Sequence, residues 1–244
     1  MKDIQGGLDD RRINIRKVGV KNLSYPVIVL DKARRAQKTV AVVNMYVNLP
    51  HQFKGTHMSR FVEILHGFHE RFTLAAYRRI LEETRARLNA GSAHLEMAFP
   101  YFVDGAARYD CRLIGSLGED LDLLVEVAVP LRSGARPWGL ATVAVRMLRM
   151  LWIEDLIALV EAAPLPERPT AAGACRAIAG VLEANPALAW HRTRVAERGP
   201  AGGPASFAER EWPESRDKAL AASPVFGLLP TTCEENRHDA GTVV

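Results

Sequence analysis

The feature that most constrains the fold is an order of strands and helices that occurs twice in the 244 residues. Strict alternation of apolar and polar residues predicts a strand, and apolar residues three and four positions apart predict a helix. Each half of the chain has the order strand, strand, helix, helix, strand, strand. The predicted strands are 25–30, 39–48, 93–102, 108–114, 121–129, 139–147, 188–197 and 207–212. The predicted helices are 59–72, 74–88, 151–162 and 170–185.

Local signals support the ends of several helices. Thr73 and Thr170 each precede a helical pattern and are typical N-cap residues. Gly91 follows the second helix, where glycine commonly ends a helix. Asn185 precedes a proline, and the restriction on pre-proline residues predicts that the fourth helix ends there.

The repeated order predicts an α+β protein of two tandem modules, each an antiparallel four-stranded sheet with two helices on one face. The predicted divisions are a polar N-terminal segment at 1–17, modules at 18–116 and 117–212, and an extended or disordered tail at 213–244. Two such sheets have four edges. Because exposed edges invite pairing with another chain, the pattern predicts a homo-oligomer.

Composition limits the function classes. The three cysteines, Cys111, Cys175 and Cys233, are widely spaced and form no C-x-x-C pair, which argues against a disulfide framework or a zinc knuckle. No apolar run of membrane-spanning length occurs, and the N-terminus lacks the apolar stretch of a signal peptide, so we expect a cytoplasmic protein. The formal charge of +4 comes from basic residues that are scattered along the chain and form no dense tract, which argues against a nucleic-acid partner.

The most informative segment is LPHQFKGTHMSRF, residues 49–61, which joins a predicted strand to a predicted helix. The N–H groups at the beginning of a helix, together with the helix dipole, favour an anion. Lys54 and Arg60 supply positive charge, and the hydroxyls of Thr56 and Ser59 supply donors, as phosphate oxygens require. In the alternative interpretation, one hydroxyl only caps the helix and the basic groups are solvated.

The run PHQFKGTHMSRFVEIL, residues 50–65, resembles the type IB GTP cyclohydrolase I family. The similarity extends to residues 9–31, to HLEMAFPYF (94–102), to VEVAVP (125–130) and to LWIEDLIALVE (151–161). The resemblance implies two tunnelling-fold modules in tandem, a homotetramer with active sites at subunit interfaces, and conversion of GTP to 7,8-dihydroneopterin triphosphate and formate with a divalent metal and a cysteine. By the same resemblance, the residues that hold the substrate phosphates are Lys54, Thr56, His57, Ser59 and Arg60.

The chain departs from the family pattern at four places. The Cys-Pro-Cys stretch that follows VEVAVP in the family is missing, and Arg136-Pro137 stands where the family has His-Asn. The stretch 164–169 is shorter and lacks a family Glu, and residues 198–204 lack the family's C-terminal Glu and His-Asn-His. Residues 103–106 replace a Lys-Ala-Pro-Val-Ser-like element. Because a catalytic metal needs at least three such ligands, we assign no metal ligand and no catalytic residue.

We therefore expect a divergent family member that binds a purine nucleotide or a pterin-like phosphate ligand, with altered or lost cyclohydrolase chemistry. One alternative is a non-catalytic partner or regulatory subunit of a cyclohydrolase. The other is an active enzyme with a substitute metal site. The family resemblance implies a role in folate or pterin biosynthesis.

Other titratable residues give weaker signals. The nearby histidines His51, His57, His66 and His69 include an i,i+3 pair, but the sequence shows no third metal ligand. The positions of Cys111 and Cys175 in apolar patterns predict core residues. Glu96 is expected to be solvated on the polar face of its strand, and His191 has no identifiable partner.

Overall fold

The computed structural model describes residues 15–49, 57–68, 71–134, 136–149, 151–199 and 204–213. Of the predicted N-terminal segment at 1–17 and the predicted tail at 213–244, all but 15–17 and Pro213 lie outside the described residues.

The chain divides into two compact units, with the boundary between Glu126 and Val127. The elements of unit 1 are β1 (Ile15–Leu30), β2 (Ala36–Leu49), α1 (Met58–His66), β3 (Arg71–Phe72), α2 (Leu74–Arg87), β4 (Ser92–Val103) and β5 (Ala107–Leu117). The boundary lies within β6 (Leu121–Ser133). The elements of unit 2 that follow are β7 (Arg136–Met147), α3 (Ile153–Glu161), α4 (Ala171–Glu183), β8 (Leu188–Arg198) and β9 (Pro204–Trp212).

These elements confirm the predicted α+β class, and every predicted strand and helix is present. The predicted module divisions at 18–116 and 117–212 stay predictions. The first helix is shorter than predicted, because it ends at His66 with Gly67 as its C-cap. Arg71 and Phe72, which the helical pattern included, form the short strand β3.

In unit 1 the strand order is β3-β1-β2-β4-β5. The pairs β1–β2, β2–β4 and β4–β5 are antiparallel, as predicted, whereas β3 pairs with β1 in parallel. β1 is much longer than the predicted strand at 25–30. Two register shifts interrupt its pairing with β2, and Asn22 has a positive φ of 55°. A bulge shifts the side-chain alternation by one residue, which explains why the pattern hid the first half of β1.

The position of Tyr77 shows which face of the unit 1 sheet the helices cover. The Tyr77 side chain is fully buried, and its hydroxyl donates to the Leu95 carbonyl of β4. Leu95 pairs with Gly115 of β5, and a Cβ atom at Gly115 would lie 2.5 Å from the Tyr77 ring. Gly115 therefore makes room for the Tyr77 ring, and the Leu95 side of the sheet faces α2.

Helix α1 is held by its apolar face and by contacts with Tyr25 of β1. Phe61, Ile64 and Leu65 are buried, and the Tyr25 hydroxyl donates to the Leu65 carbonyl at 2.9 Å. These contacts fix the helix that begins within the segment 49–61 singled out in the sequence.

In unit 2, β7, β8 and β9 form consecutive antiparallel pairs, and α4 packs against β8 and β9. The Cys175 thiol, on the buried face of α4, donates to the Thr193 carbonyl of β8 at 3.4 Å. Arg210 of β9 donates to the Glu183 carboxylate at the end of α4, with an N–O distance of 2.9 Å.

Both predicted threonine caps are confirmed. The Thr73 hydroxyl accepts from the Ala76 N–H, and the Thr170 hydroxyl accepts from the Gly173 N–H, each at 3.1 Å. Each bond satisfies one of the N–H groups that a helix leaves unpaired at its beginning.

Thr170→Ala removes the cap of α4 and should lower the free energy of unfolding by about 1 kcal/mol. Thr170→Ser keeps a capping hydroxyl and should stay within a few tenths of a kcal/mol of wild type. Urea denaturation of the three proteins measures both effects. Equal losses in the two variants would show that the hydroxyl bond contributes nothing.

Candidate functional site

The beginning of α1 differs from that of the capped helices. Its N-cap residue, His57, is extended (φ −76°, ψ 115°) and makes no side-chain capping bond. The first turn contains no acidic residue. By contrast, threonine caps α2 and α4, and α3 carries Glu154 and Asp155 in its first turn. Among the described helices, α1 alone has neither a side-chain cap nor a first-turn carboxylate to compete with an anion.

Three of the five residues expected to bind phosphate are described, and all three lie at this helix end. His57 is the N-cap, and Ser59 and Arg60 belong to the first turn, with Ser59 exposed. Lys54 and Thr56 lie outside the described residues, as do His51 and His69. The structure therefore brings His57, Ser59 and Arg60 together.

Arg60 also makes a contact that the sequence did not suggest. Its Nη1 donates to the Arg87 carbonyl at the end of α2, at 3.4 Å. The nearest acidic residue along α1, Glu63, is one turn further and pairs with Arg87 Nη2 at 3.4 Å. The long, exposed hydrogen bond from Arg60 to the Arg87 carbonyl orients the Arg60 guanidinium without using all five of its N–H donors.

A second polar cluster lies on the face of the unit 1 sheet opposite the helices. Glu96 follows Leu95 in β4, and successive side chains of a strand point to opposite faces, so Glu96 points away from α2. Its pairing partner is Asn44 of β2, whose Nδ2 donates to Glu96 Oε2 at 3.1 Å. Glu96 is only 5% exposed, so the expectation of a solvated Glu96 is wrong.

The Asn44 amide has a fixed orientation. Its Oδ1 accepts from the backbone N–H of Asn22, at 2.8 Å, where β1 has its positive φ. Because the oxygen is used there, the NH₂ group must face Glu96. The irregular stretch of β1 thus sets the direction in which Asn44 donates.

Lys17, Tyr46 and His94 complete this polar cluster. The Lys17 ammonium lies over the Tyr46 ring, 4.1 Å from its centre, and Tyr46 pairs with His94. Among the described residues, Lys17 Nζ and His94 Nδ1 are buried without a hydrogen-bond partner. The His94 ring also contacts the Ser92 hydroxyl, with 3.3 Å between His94 Nε2 and Ser92 Oγ.

Burial governs the ionisation of the cluster. It lowers the pKa of Lys17, and the Glu96 carboxylate opposes that effect. It also lowers the pKa of His94, helped by the Lys17 charge. Burial raises the pKa of Tyr46 to about 12, with the Glu96 charge adding to the effect. Burial therefore disfavours the charged forms of both Lys17 and His94.

A family model described as Type I GTP cyclohydrolase folE2 matches residues 1–134. GTP cyclohydrolase FolE2 of Pelobacter propionicus is 50% identical over 182 residues, covering 66% of this chain and 71% of that protein. GTP cyclohydrolase FolE2 of Geobacter metallireducens is 44% identical over 182 residues, covering 66% and 70%. That of Syntrophobacter fumaroxidans is 44% identical over 190 residues, covering 68% and 74%.

The chain belongs to the type I GTP cyclohydrolase FolE2 family. This confirms the resemblance found in the sequence. The alignment with the Pelobacter propionicus protein is 182 positions long, but it covers only 66% of the 244 residues of this chain, which is fewer than 182 residues. The alignment therefore contains positions that this FolE2 family chain lacks, in agreement with the shortened connections noted in its sequence.

The described residues do not fit the metal that the FolE2 resemblance implies. Within the described ranges, no three His, Cys, Asp or Glu side chains lie close enough together to hold a metal ion. Cys111 and Cys175 are both buried, as predicted, and burial raises the pKa of the Cys175 thiol. A raised pKa disfavours the thiolate that binds metals or attacks carbon. Cys233 lies outside the described residues.

No helix within the described part of the chain is long and apolar enough to cross a membrane.

His191 of β8 has partners that the sequence did not reveal. Its ring is fully buried and stacks on Trp212, and its Nδ1 lies 3.3 Å from the Thr193 hydroxyl. Its Nε2 lies 4.0 Å from the Glu183 carboxylate, which binds Arg210. Burial lowers the pKa of His191 to about 4, an effect that Glu183 opposes and Arg210 strengthens.

His191 should make this chain less stable in acid. An unfolded histidine has a pKa near 6.5, so between about pH 6.5 and pH 4 the unfolded state binds more protons than the folded state. Stability should fall as the pH falls through this window, by up to about 1.4 kcal/mol per pH unit from this group. His191→Gln should reduce the slope of the unfolding free energy against pH in this window. Identical slopes in wild type and His191→Gln would contradict the assignment.

Proposed function

We propose that this chain binds GTP, or a related purine nucleotide, through its phosphate groups at the beginning of α1, and that its cyclohydrolase chemistry is altered or lost. The observation that carries the first part is the first turn of α1, which lacks both a side-chain cap and a carboxylate. Its relatives are GTP cyclohydrolases, and their family model covers this turn.

The residues proposed to bind the phosphates contribute different kinds of hydrogen-bond donor. The first N–H groups of α1 point along the helix axis toward an anion placed before it. Ser59 and Thr56 add neutral donors, Lys54 adds a compact charge, and Arg60 adds a planar pair of donors suited to phosphate oxygens. His57, as N-cap, sets the direction in which the chain enters the helix.

The case for altered chemistry rests on the side chains that could serve as metal ligands. In this family the divalent metal would activate water for opening the guanine imidazole ring. The described residues provide no group of three ligands, and the sequence has Arg136 where the family has a histidine. An arginine stays protonated and repels a divalent cation. We therefore derive no step through a metal.

Retained cyclohydrolase activity is the second candidate, and the 50% identity to a GTP cyclohydrolase favours it. That activity would require ligands from outside the described residues, where His51, His69 and Cys233 lie. A homotetramer, which the family resemblance implies, is part of both proposals and can be measured by light scattering.

The phosphate site predicts specific losses of affinity. Lys54→Ala combined with Thr56→Val should weaken binding of both GTP and tripolyphosphate, on the order of tenfold to a hundredfold, because each charged hydrogen bond contributes about 1.5–3 kcal/mol. Titration calorimetry at low salt measures both ligands. Arg78→Ala, which removes an exposed arginine of α2 paired with Glu82, is the matched control and should bind like wild type. Unchanged heats in the double variant would place the phosphates elsewhere.

The chemistry can be tested separately from binding. With GTP and added Zn²⁺, Mn²⁺ or Mg²⁺, we expect no fluorescent neopterin after oxidation of the reaction mixture, although GTP binds. Metal analysis of the purified protein is the companion measurement. Neopterin formed with a bound metal, and lost on chelation, would overturn the altered chemistry and establish the second candidate.

A further inference from the structure

We propose that the hairpin end of the unit 1 sheet is a docking surface for a segment of a partner protein that carries both acidic and apolar side chains. Six exposed residues form this surface, which we call the hairpin surface: Lys32, Arg34, Lys38, Val40, Val42 and Phe102. The proposal does not depend on the proposed binding of GTP at α1.

The loop between β1 and β2 is rich in basic residues, and Asp31 holds it in one conformation. Residues 31–38, DKARRAQK, include four basic residues, and Asp31 is their only acidic one. The buried Asp31 carboxylate accepts from the Arg35 N–H at 2.7 Å and from Arg35 Nε at 2.6 Å. The Asp31 carbonyl accepts from the N–H of Arg34, whose φ of 60° is uncommon for a residue other than glycine. The loop therefore uses its one carboxylate internally while its basic side chains are exposed.

One side chain joins this hairpin to the hairpin of β4 and β5. Gln37 Nε2 donates to the Phe102 carbonyl at 2.7 Å, and Gln37 Oε1 accepts from the Phe102 N–H at 3.0 Å. These two bonds hold the ends of the two hairpins side by side. Residues 31–38 and 102–110 together contain five basic and three acidic side chains, and two of the acidic ones pair with arginines within these stretches. This end of the sheet therefore carries an excess of positive charge.

Exposed apolar side chains of β2 lie next to this charge. Asn44 of β2, the pairing partner of Glu96, points to the helix-free face. Lys38, Val40 and Val42 precede Asn44 at alternate positions, so they point to the same face. Val40 is 57% exposed and Val42 is 40% exposed. A basic residue is thus followed by an apolar row on one face of a single strand.

Phe102 of β4 extends the apolar row. It lies an even number of positions after Glu96, so its side chain is also on the helix-free face, and it is 37% exposed. Its pairing partner in β5 is the basic residue Arg108. Single exposed apolar residues are common on protein surfaces, whereas a group on one face beside a basic loop is typical of an interaction surface.

The combination of charge and apolar area indicates the class of partner. A protein segment can pair its carboxylates with the basic loop while its apolar side chains cover Val40 and Val42. A nucleic acid would use the basic residues, but its phosphates gain nothing from the valines. A lipid bilayer takes up apolar side chains, and the tip of the loop, Lys32–Arg34, has no large apolar residue to insert. An acidic and apolar protein segment therefore fits the hairpin surface best.

The hairpin surface and helix α1 lie on different faces of the unit 1 sheet. Ala41, between Val40 and Val42, pairs with Tyr25, whose hydroxyl contacts α1 at Leu65. Because successive side chains of a strand point to opposite faces, the two valines point away from α1. A bound partner segment would therefore leave the first turn of α1 accessible.

The test selects short peptides on the full chain. A random peptide library displayed on phage is selected on the wild-type protein, and the enriched peptides are synthesised and titrated. We expect them to combine Asp or Glu with Leu, Val or Phe. Lys32→Gln combined with Arg34→Gln should weaken their binding by on the order of tenfold, because exposed ion pairs are lost. Peptides that bind this double variant as tightly as wild type, or a library that yields no binder, would overturn the proposal.

Two further double variants serve as a control and as a test of the apolar part. Arg168→Gln combined with Arg176→Gln removes the same charge from exposed arginines of unit 2 and should bind the peptides like wild type. Val40→Thr combined with Val42→Thr keeps every charge and the branched shape of the side chains. It should weaken binding by on the order of fivefold through lost apolar contact. Wild-type affinity in the threonine variant would contradict the mixed character of the surface.

Other anionic probes separate the remaining classes of partner. A single-stranded RNA oligonucleotide and phosphatidylserine vesicles are titrated with the wild-type protein and with Lys32→Gln combined with Arg34→Gln. If either probe binds more tightly than the peptides and loses its binding in the variant, that class replaces the protein partner and the proposal fails. Tripolyphosphate should bind all these variants like wild type. A failure of the phosphate site therefore leaves the hairpin surface standing, and loss of peptide dependence on the hairpin surface leaves the phosphate site standing.

Discussion

The contact between Tyr77 and the strand pair β4–β5 determines which face of the unit 1 sheet packs against the helices and which face carries Glu96. The ring occupies the space that a side chain at position 115 would fill, and the hydroxyl satisfies the Leu95 carbonyl. An aromatic side chain buried this completely contributes a few kcal/mol through apolar burial alone. Once Leu95 faces α2, alternation along the strand requires Glu96 to face the other way. The register of β4 therefore determines both how α2 packs on the sheet and on which face the Glu96 carboxylate lies.

The helix-free face carries groups that work against stability. An unpaired buried donor costs about 1–3 kcal/mol, and a whole domain is stable by only about 5–15 kcal/mol. An apolar residue in place of Lys17 or His94 would avoid that cost while keeping the strand pairing.

Much of the fold could be predicted from the sequence, and the exceptions have physical reasons. The strands with regular alternation, such as β4, and the threonine caps of α2 and α4 were predicted because each signal is local. The first half of β1 was missed because its bulges interrupt the alternation of apolar and polar residues. β3 was missed because a strand of two residues is too short to show any alternation. Glu96 was wrongly expected to be solvated, and the partners of His191 could not be identified, because the burial of both depends on neighbouring strands that no local pattern reveals. The helix end at His57–Arg60 was found, because a strand-to-helix junction with basic and hydroxyl residues is itself a local signal.

The comparison with the family gives these features a common location. The family model matches residues 1–134, which include the first turn of α1 and the whole cluster around Glu96. It ends within residues 131–139, where the chain lacks the family's Cys-Pro-Cys stretch. Two of the other three departures, at 164–169 and 198–204, lie beyond that point. Nucleotide binding needs donors and acceptors on a rigid frame, whereas ring opening also needs an activated water. In the proposed function, the residues that meet these two requirements lie on different parts of the chain. A chain can therefore keep the first when the second is lost, because affinity for phosphates and base does not depend on groups that act only in the transition state.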